Sequence, residues 1–213
     1  KEIDTFKNDQ NKLYFFRQID LIDSQSLNNI ILEFKPNFII HLAAESHVDR
    51  SIQSPEIFIK SNILGTFNLL EATRKFYSKL NAKDKKIFRF HHISTDEVYG
   101  SANGNKCFSE LDKYFPRSPY SASKASSDHL VYSWHYSYEL PITISNCTNN
   151  FGKYQFPDKL IPKIIMKALS NEKIPLYGNG LQIRDWLHVE DHIKAIIEII
   201  LNGNIGETYC IGA

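Results

Sequence analysis

Short apolar segments alternate with amphipathic stretches along nearly the whole chain, and no other feature of the 213 residues limits the fold as strongly. Residues 13–19 (LYFFRQI, ending at Asp20), 38–42 (FIIHL), 87–93 (IFRFHHI), 142–146 (ITISN), 174–177 (IPLY) and 208–211 (TYCI) are runs of strand length. Between them lie segments with helical spacing. These are Leu27, Ile30, Ile31 and Phe34; Ile59, Ile63, Phe67 and Leu70; residues 119–138 and 160–169; and Ile193, Ile196, Ile197 and Ile200. Ser24 or Ser26 suits the cap of the first helix. Ser54-Pro55 and Ser118-Pro119 are each an N-cap followed by a proline at the first helical position. A polar loop, AAESHVDRSIQ, is expected before Ser54. Nearly all-apolar strands joined by helices predict an α/β fold, a parallel sheet covered on both faces. Ligands of such sheets sit beyond the C-terminal strand ends. The motifs AAES, STDE and NCTNN fall there and are expected to share one cleft.

Composition narrows the function. Lys and Arg number 25 against 24 Asp and Glu, a net charge of +1, so there is no basic surplus to bind a nucleic acid. Cys107, Cys147 and Cys210 are an odd, widely spaced set, which argues against a disulfide framework or a zinc ribbon and for a reducing compartment. No apolar run approaches the roughly 18 residues of a membrane span, and KEIDTFKNDQ does not read as a signal peptide. A cytoplasmic protein without membrane or nucleic-acid partners is expected.

Four segments hold the candidate chemistry. Tyr120 and Lys124 stand four apart on an expected helix and share a face, where an ammonium would favour the phenolate. The same spacing also describes an ordinary surface pair. Asp96 and Glu97 leave the 87–93 strand together. On an extended segment they would point to opposite sides, and like charges so close push their pKa values apart, so that one can act as acid and the other as base. Solvated loop acids are the alternative. Arg184 has the forked shape that binds diphosphate oxygens, with Asp185 to orient it, or the two form a surface ion pair. His188 and His192, with Glu190 and Asp191 between, match neither zinc-protease spacing, so no metal is expected. A dinucleotide fingerprint is missing: Gly178-Asn-Gly180 comes nearest, and its third position is Ile183.

Together, HLAAESHVDRSI, HHISTDEVYG, SPYSASKASSDHL, NCTNNFG, FPDKLIP, PLYGNGLQIRDWLHVEDH and GETYCIG resemble the extended short-chain dehydrogenase/reductases, and within them the dTDP-glucose 4,6-dehydratases. The Asp-Glu pair after Thr95 is the discriminating feature. The resemblance implies a Rossmann-like doubly wound parallel sheet with part of a smaller C-terminal substrate-binding region. Residues 1–150 would form an incomplete NAD-binding domain, and residues 151–213 the start of the nucleotide-sugar region, interleaved with the last strands. It implies conversion of dTDP-glucose to dTDP-4-keto-6-deoxyglucose by oxidation, loss of water and reduction, with NAD regenerated. Tyr120 would take the C4 hydroxyl proton, its pKa lowered by Lys124 and the oxidised nicotinamide. Thr95 would hold that hydroxyl, Glu97 remove the C5 proton and Asp96 protonate the departing C6 hydroxyl.

For NAD the resemblance suggests Asp20, Leu21, Leu42, Ala43, Ala44, Glu45, Ser46, Ser61, Tyr120, Lys124 and Asn150. For the nucleotide sugar it suggests Ser46, Thr95, Asn149, Lys159, Leu160, Pro175, Leu176, Tyr177 and Arg184. His188 and His192 stay structural. A homodimer through helices 55–77 and 119–138 is implied. The family's first strand, glycine-rich loop and first helix have no counterpart here, nor has its region beyond Ala213, so an internal fragment or truncated product is expected. Other nucleotide sugars, a UDP-sugar among them, and a non-catalytic chain of the same fold are the alternatives.

Overall fold

The computed structural model describes residues 14–102, 107–176 and 178–213. Four parallel strands form the main sheet: β1 (Phe38–His41), β2 (Arg89–Thr95), β3 (Ile142–Cys147) and β6 (Thr208–Ile211), side by side in that order. Between them come α1 (Ser24–Phe34), α2 (Val48–Gln53), α3 (Pro55–Phe58), a π turn (Ile59–Leu64), α4 (Gly65–Ser78), α5 (Ala82–Ile87), a 3-10 turn (Asp96–Tyr99) and α6 (Pro119–Tyr138). After β3 follow β4 (Asn149–Phe151), α7 (Leu160–Leu169), β5 (Trp186–His188) and α8 (Val189–Asn202); β4 and β5 pair in parallel as a second small sheet.

Strand alternation sorts the sheet's two faces. Phe90, Ile142 and Ile144 point to one side and form a core with Leu27 and Ile31 of α1, Leu69, Leu70 and Phe76 of α4 and Val131 of α6. His91, Thr143 and Ser145 point to the other side, where His192 of α8 approaches His91. The sheet is thus doubly wound, as the strand–helix alternation predicts.

Several elements differ from the sequence reading. Residues 14–20 carry no strand: Phe15 and Phe16 are 53% and 52% exposed, and no described strand lies alongside to take up their backbone groups. Ile19 and Leu21 pack on the core instead. Residues 172–176 likewise form no strand, with Leu176 74% exposed. β1 is not fully buried; it is an edge of the described sheet, with Phe38 and Ile40 exposed. The AAESHVDRSIQ segment is not all loop, since its second half folds into α2 with His47 as cap.

Caps differ as well. Asp23, not Ser24 or Ser26, caps α1, accepting from the Ser26 N–H. Ser54 makes no side-chain cap bond, whereas Ser118 forms a reciprocal box with Ser121. The helix begun at Pro55 runs on through the π turn into α4. Its buried stripe includes Phe58, Asn62, Thr66, Leu69, Leu70, Thr73 and Phe76, so of the expected positions Leu70 is buried whereas Ile59 and Phe67 are not. Ile59 and Phe67 consequently face outward.

Candidate active site

The C-terminal ends of β1, β2 and β3 lie in register, His41 beside His92 and Thr95 beside Cys147. This brings AAES, STDE and NCTNN to one edge of the sheet. β2 ends at Thr95, and the chain turns immediately into the 3-10 helix, so Asp96 and Glu97 occupy the first turn of a helix and not an extended segment. Thr95 caps that turn: its Oγ1 accepts from the Glu97 N–H at 3.3 Å and donates to Asp96 Oδ1 at 3.3 Å. Gly100 closes the turn with φ +87°, where a Cβ would lie 2.5 Å from the Phe115 carbonyl oxygen.

Both carboxyls are half-buried, and both are held above the usual carboxylate range. Burial is the first cause for each; Asp185 adds to it at Asp96, and Asp96 at Glu97. Arg184 acts on both in the opposite sense, and Lys159 on Glu97. Two neighbouring carboxyls with raised proton affinity suit proton donation and removal on neighbouring atoms of one ligand.

α6 faces them. Its box-capped N-terminus sets Tyr120 beside Thr95 and Glu97, with the ring edge-on to Phe58 at 6.3 Å. Burial, then Glu97, pushes the Tyr120 phenol well above its ordinary pKa. Lys124, 4% exposed, donates from Nζ to the Ile93 carbonyl at 2.8 Å and lies 3.4 Å from His92 Nε2. The expected lowering of the Tyr120 pKa by Lys124 is therefore not what this geometry produces. The ammonium is directed at β2, and carboxylates surround the phenol.

The AAES loop is fixed by a residue the sequence reading passed over. Asn62, 1% exposed in the π turn, donates to the Glu45 carbonyl at 2.9 Å and accepts from the Glu45 N–H at 2.8 Å. It also donates to Ser123 Oγ at 2.8 Å, and Ser123 donates to the Tyr120 carbonyl. The Asn62 carbonyl accepts from the Thr66 and Ser127 hydroxyls. One amide thus ties the loop to the helix bearing Tyr120. Leu42, Ala43, Ala44 and Ser46 remain exposed, and Ser61 is half-buried in the same turn.

Other expected residues divide. Lys159 reaches Ser46, with Nζ 3.2 Å from its carbonyl oxygen and 3.3 Å from Oγ, across 113 positions of sequence. Leu160 begins α7 beside it, exposed. Asn149 and Asn150 open β4. Asn150 donates to the Thr148 carbonyl at 3.1 Å and lies 3.4 Å from Cys147 Sγ, while its Oδ1 is 2.8 Å from His192 Nδ1. His188 caps α8 and His192 supports Asn150. Leu21 packs against Gly65, one residue past the π turn, and its carbonyl accepts from Asn68; Asp20 holds the Ile22 N–H.

Pro175 and Leu176 are exposed on an irregular segment and are not drawn into the cleft by any described contact; Tyr177 lies outside the described residues. Arg184 is exposed, donating to the Ile183 carbonyl, with Asp96 and Glu97 in electrostatic reach. Asp185, instead of orienting it, accepts from the Ala213 N–H at 3.2 Å. No group of three or more metal-ligating side chains occurs among the described residues. No described helix is long and apolar enough to cross a membrane.

The donor set fits the ribose side of a dinucleotide. Lys124 has three protons, and the Ile93 carbonyl and His92 account for two. Among the described residues there is no glycine turn to cradle a pyrophosphate.

A family model described as GDP-mannose 4,6 dehydratase matches residues 1–213. The curated dTDP-glucose 4,6-dehydratase of Neisseria meningitidis serogroup B is 53% identical over 203 residues, 95% of this chain and 57% of the relative. The crystal structure of a dTDP-glucose 4,6-dehydratase from Streptomyces venezuelae with NAD bound is 36% identical with a TM-score of 0.88, covering 99% of this chain and 62% of its own. A dTDP-glucose 4,6-dehydratase from Bacillus anthracis in complex with NAD is 38% identical, TM-score 0.83, covering 97% and 60%. The chain thus spans about three-fifths of the length of the relatives it matches.

Proposed function

The chain belongs to the GDP-mannose 4,6 dehydratase family, and from that premise we propose that its site dehydrates a nucleotide sugar, dTDP-glucose, to the 4-keto-6-deoxy sugar with NAD as a regenerated cofactor. The observation that carries the reading is the Thr95-Asp96-Glu97 turn facing Tyr120, two carboxyls with raised proton affinity beside one phenol. Dehydration needs a proton removed from C5 and another delivered to the leaving C6 hydroxyl. A hydride exchange alone needs neither. The dTDP-glucose substrate is supported by the 53% identical relative.

Tyr120 takes the proton of the C4 hydroxyl, held by Thr95. The resulting carbonyl acidifies C5; Glu97 removes that proton, and Asp96, whose proton affinity burial raises, gives a proton to the C6 oxygen as water leaves. The proton held by Glu97 goes back to C5 as the hydride returns to C6. When bound, oxidised NAD supplies the hydride acceptor and a positive charge that offsets the carboxylates around Tyr120. Lys124 and the Leu42–Ser46 stretch, with Asp20, Leu21, Ser61 and Asn150, are the residues proposed to hold it. Ser46, Asn149, Lys159, Leu160, residues 175–177 and Arg184 are proposed for the nucleotide sugar.

Residues 1–150 then form the cofactor side. Residues 151–213 form the sugar side, returning β6 to the sheet beside β3. We further read the protein as a cytoplasmic homodimer. Ile59 and Phe67 face outward from the 55–78 helix, and Tyr138 from α6, an apolar surface suited to a second copy. Incubating the full-length protein with dTDP-glucose, UDP-glucose and GDP-mannose in turn tests the function. A product lighter by one water from dTDP-glucose supports it. Water loss from another sugar alone, or none, overturns it.

A further inference from the structure

One turn beyond Lys124, on the helix face that also carries Tyr120, stands a side chain that none of these steps uses. Asp128 is fully buried. Its Oδ2 accepts from Ser94 Oγ at 2.8 Å and from the Tyr114 hydroxyl at 3.0 Å. Its Oδ1 lies 3.1 Å from His92 Nε2, and that same nitrogen is 3.4 Å from Lys124 Nζ. Enclosing a carboxylate and an ammonium in a protein interior is costly unless each serves the other. Here both stand against the same imidazole nitrogen, Asp128 Oδ1 at 3.1 Å and Lys124 Nζ at 3.4 Å, so the carboxylate lies close to the ammonium across that nitrogen, and two hydroxyls converge on the far carboxylate oxygen.

We propose that Asp128 is a positioning residue that, together with His92, keeps the Lys124 ammonium charged and fixed against β2. The inference rests on the proposed role of Lys124 in the cleft and names the groups that make that role possible. Lys124 is faced by His92 of β2, His41 of β1, Cys147 of β3 and Asp128 of its own helix. Asp128 is faced by Ser94 and His92 of β2, Tyr99 of the 3-10 turn, Tyr114 of the loop before α6, and Lys124, His129 and Tyr132 of α6. His41 and His92 are held neutral, chiefly by burial, so neither adds a competing charge. An ammonium can only donate, so in its 3.4 Å contact with Lys124 the neutral His92 Nε2 is the acceptor, and Asp128 acts on Lys124 through its charge and not through a hydrogen bond to that nitrogen. Burial lowers the Lys124 pKa and the Asp128 charge raises it again. Asp128, pushed up to about 6 by burial, is still a carboxylate at neutral pH.

Asp128→Asn keeps shape and removes the charge. In the full-length protein the alkaline limb of the kcat profile should move to lower pH by about one unit, with KM for dTDP-glucose within about two-fold of the parent. The Lys124 Nζ titration, followed by NMR on lysine-labelled protein, should move by the same amount without any turnover. Tyr114→Phe is the second variant, in case Asp128→Asn does not fold. It leaves the carboxylate but removes a donor, so the acid limb should rise while the alkaline limb stays.

A folded Asp128→Asn protein whose Lys124 titration matches the parent overturns the proposal, whatever the substrate. So does a uniform fall in kcat with both limbs in place. A parent protein that dehydrates no nucleotide sugar, yet shows the shifted Lys124 titration, overturns the proposed function and leaves Asp128 in its role.

Discussion

At the residue scale, the proposed dehydration rests on the pair Asp96 and Glu97, which a plain hydride transfer would not need. Asp96→Asn in the full-length protein should stall the reaction after oxidation. Reduced cofactor and 4-keto-glucose nucleotide should accumulate, and overall turnover should fall by about 10²–10⁴, the usual cost of one acid–base group. Unchanged turnover with no accumulated reduced cofactor would remove Asp96 from the mechanism.

Two tyrosines near the pair have different surroundings. Tyr99 is buried, stacked on Phe108 at 5.3 Å with its hydroxyl 3.5 Å from Cys210 Sγ, so it is a packing residue. Tyr120 faces Thr95 and Glu97. Tyr120→Phe should abolish the oxidation half-reaction and Tyr99→Phe should mainly lower stability; rapid-mixing absorbance of the reduced nicotinamide and a thermal melt read the two effects. The reverse pattern would move the base to Tyr99. Tyr120, Lys124, Asp96 and Glu97 were all legible as letters at suggestive spacing. That the Lys124 ammonium turns toward β2 was not, because a lysine's flexible four-carbon stem takes its direction from the acceptors that surround it.

At the element scale, the π turn Ile59–Leu64 interrupts the helix that begins at Pro55 and sits against the AAES loop. Asn62 closes two backbone bonds with Glu45 from that turn. Asn62→Ala would leave buried backbone groups unpaired, at about 1–3 kcal/mol in stability. Faster amide exchange at Glu45 should accompany the loss and can be measured on the same sample. If Glu45 stays protected, the loop is held by something else.

The expected apolar stripe missed at Ile59 and Phe67 because polar side chains, Asn62, Thr66 and Thr73, fill much of the buried face beside Phe58 and Leu70, and apolar periodicity does not register them. α6 and α7 match the expected spans, 119–138 and 160–169, and in α6 the Ser118 box marks the start.

At the scale of the whole molecule, the face carrying the exposed Ile59 and Phe67 offers a surface for a second copy. Phe67, 39% exposed and edge-on to Trp134 at 5.8 Å, lies on it. Phe67→Glu should convert a dimer of the full-length protein to monomer by light scattering; an unaltered dimer places the interface elsewhere.

Three buried histidines, His41, His91 and His92, stay neutral in the fold, with His91 lowered to about 4 and the others well below their ordinary value. The unfolded chain protonates them near 6.5, so the stability they contribute is complete above that pH and is lost as pH falls toward 4. Asp128, raised to about 6, acts in the opposite direction, as do Asp96 and Glu97, both held above their ordinary value. Each net proton is worth about 1.4 kcal/mol per pH unit. Urea midpoints should therefore drop between pH 6.5 and 5, and a flat midpoint would mean these histidines are not buried neutral.

By itself the sequence determined the fold class, four strands of the sheet and the chemistry gathered at their C-terminal ends. Those follow from burial periodicity and from the register of parallel strands, both local properties written along the chain. It also carried the family resemblance, in short motifs whose order is preserved. Only the tertiary structure decided that residues 14–20 and 172–176 are not strands, since a strand exists only where a neighbour takes up its backbone hydrogen bonds. Likewise, it alone joined Lys159 to Ser46 and Asn62 to Glu45, and set His92 between Lys124 and Asp128. A polar side chain in an interior has no periodic signature; its role is set by whatever the rest of the chain folds against it.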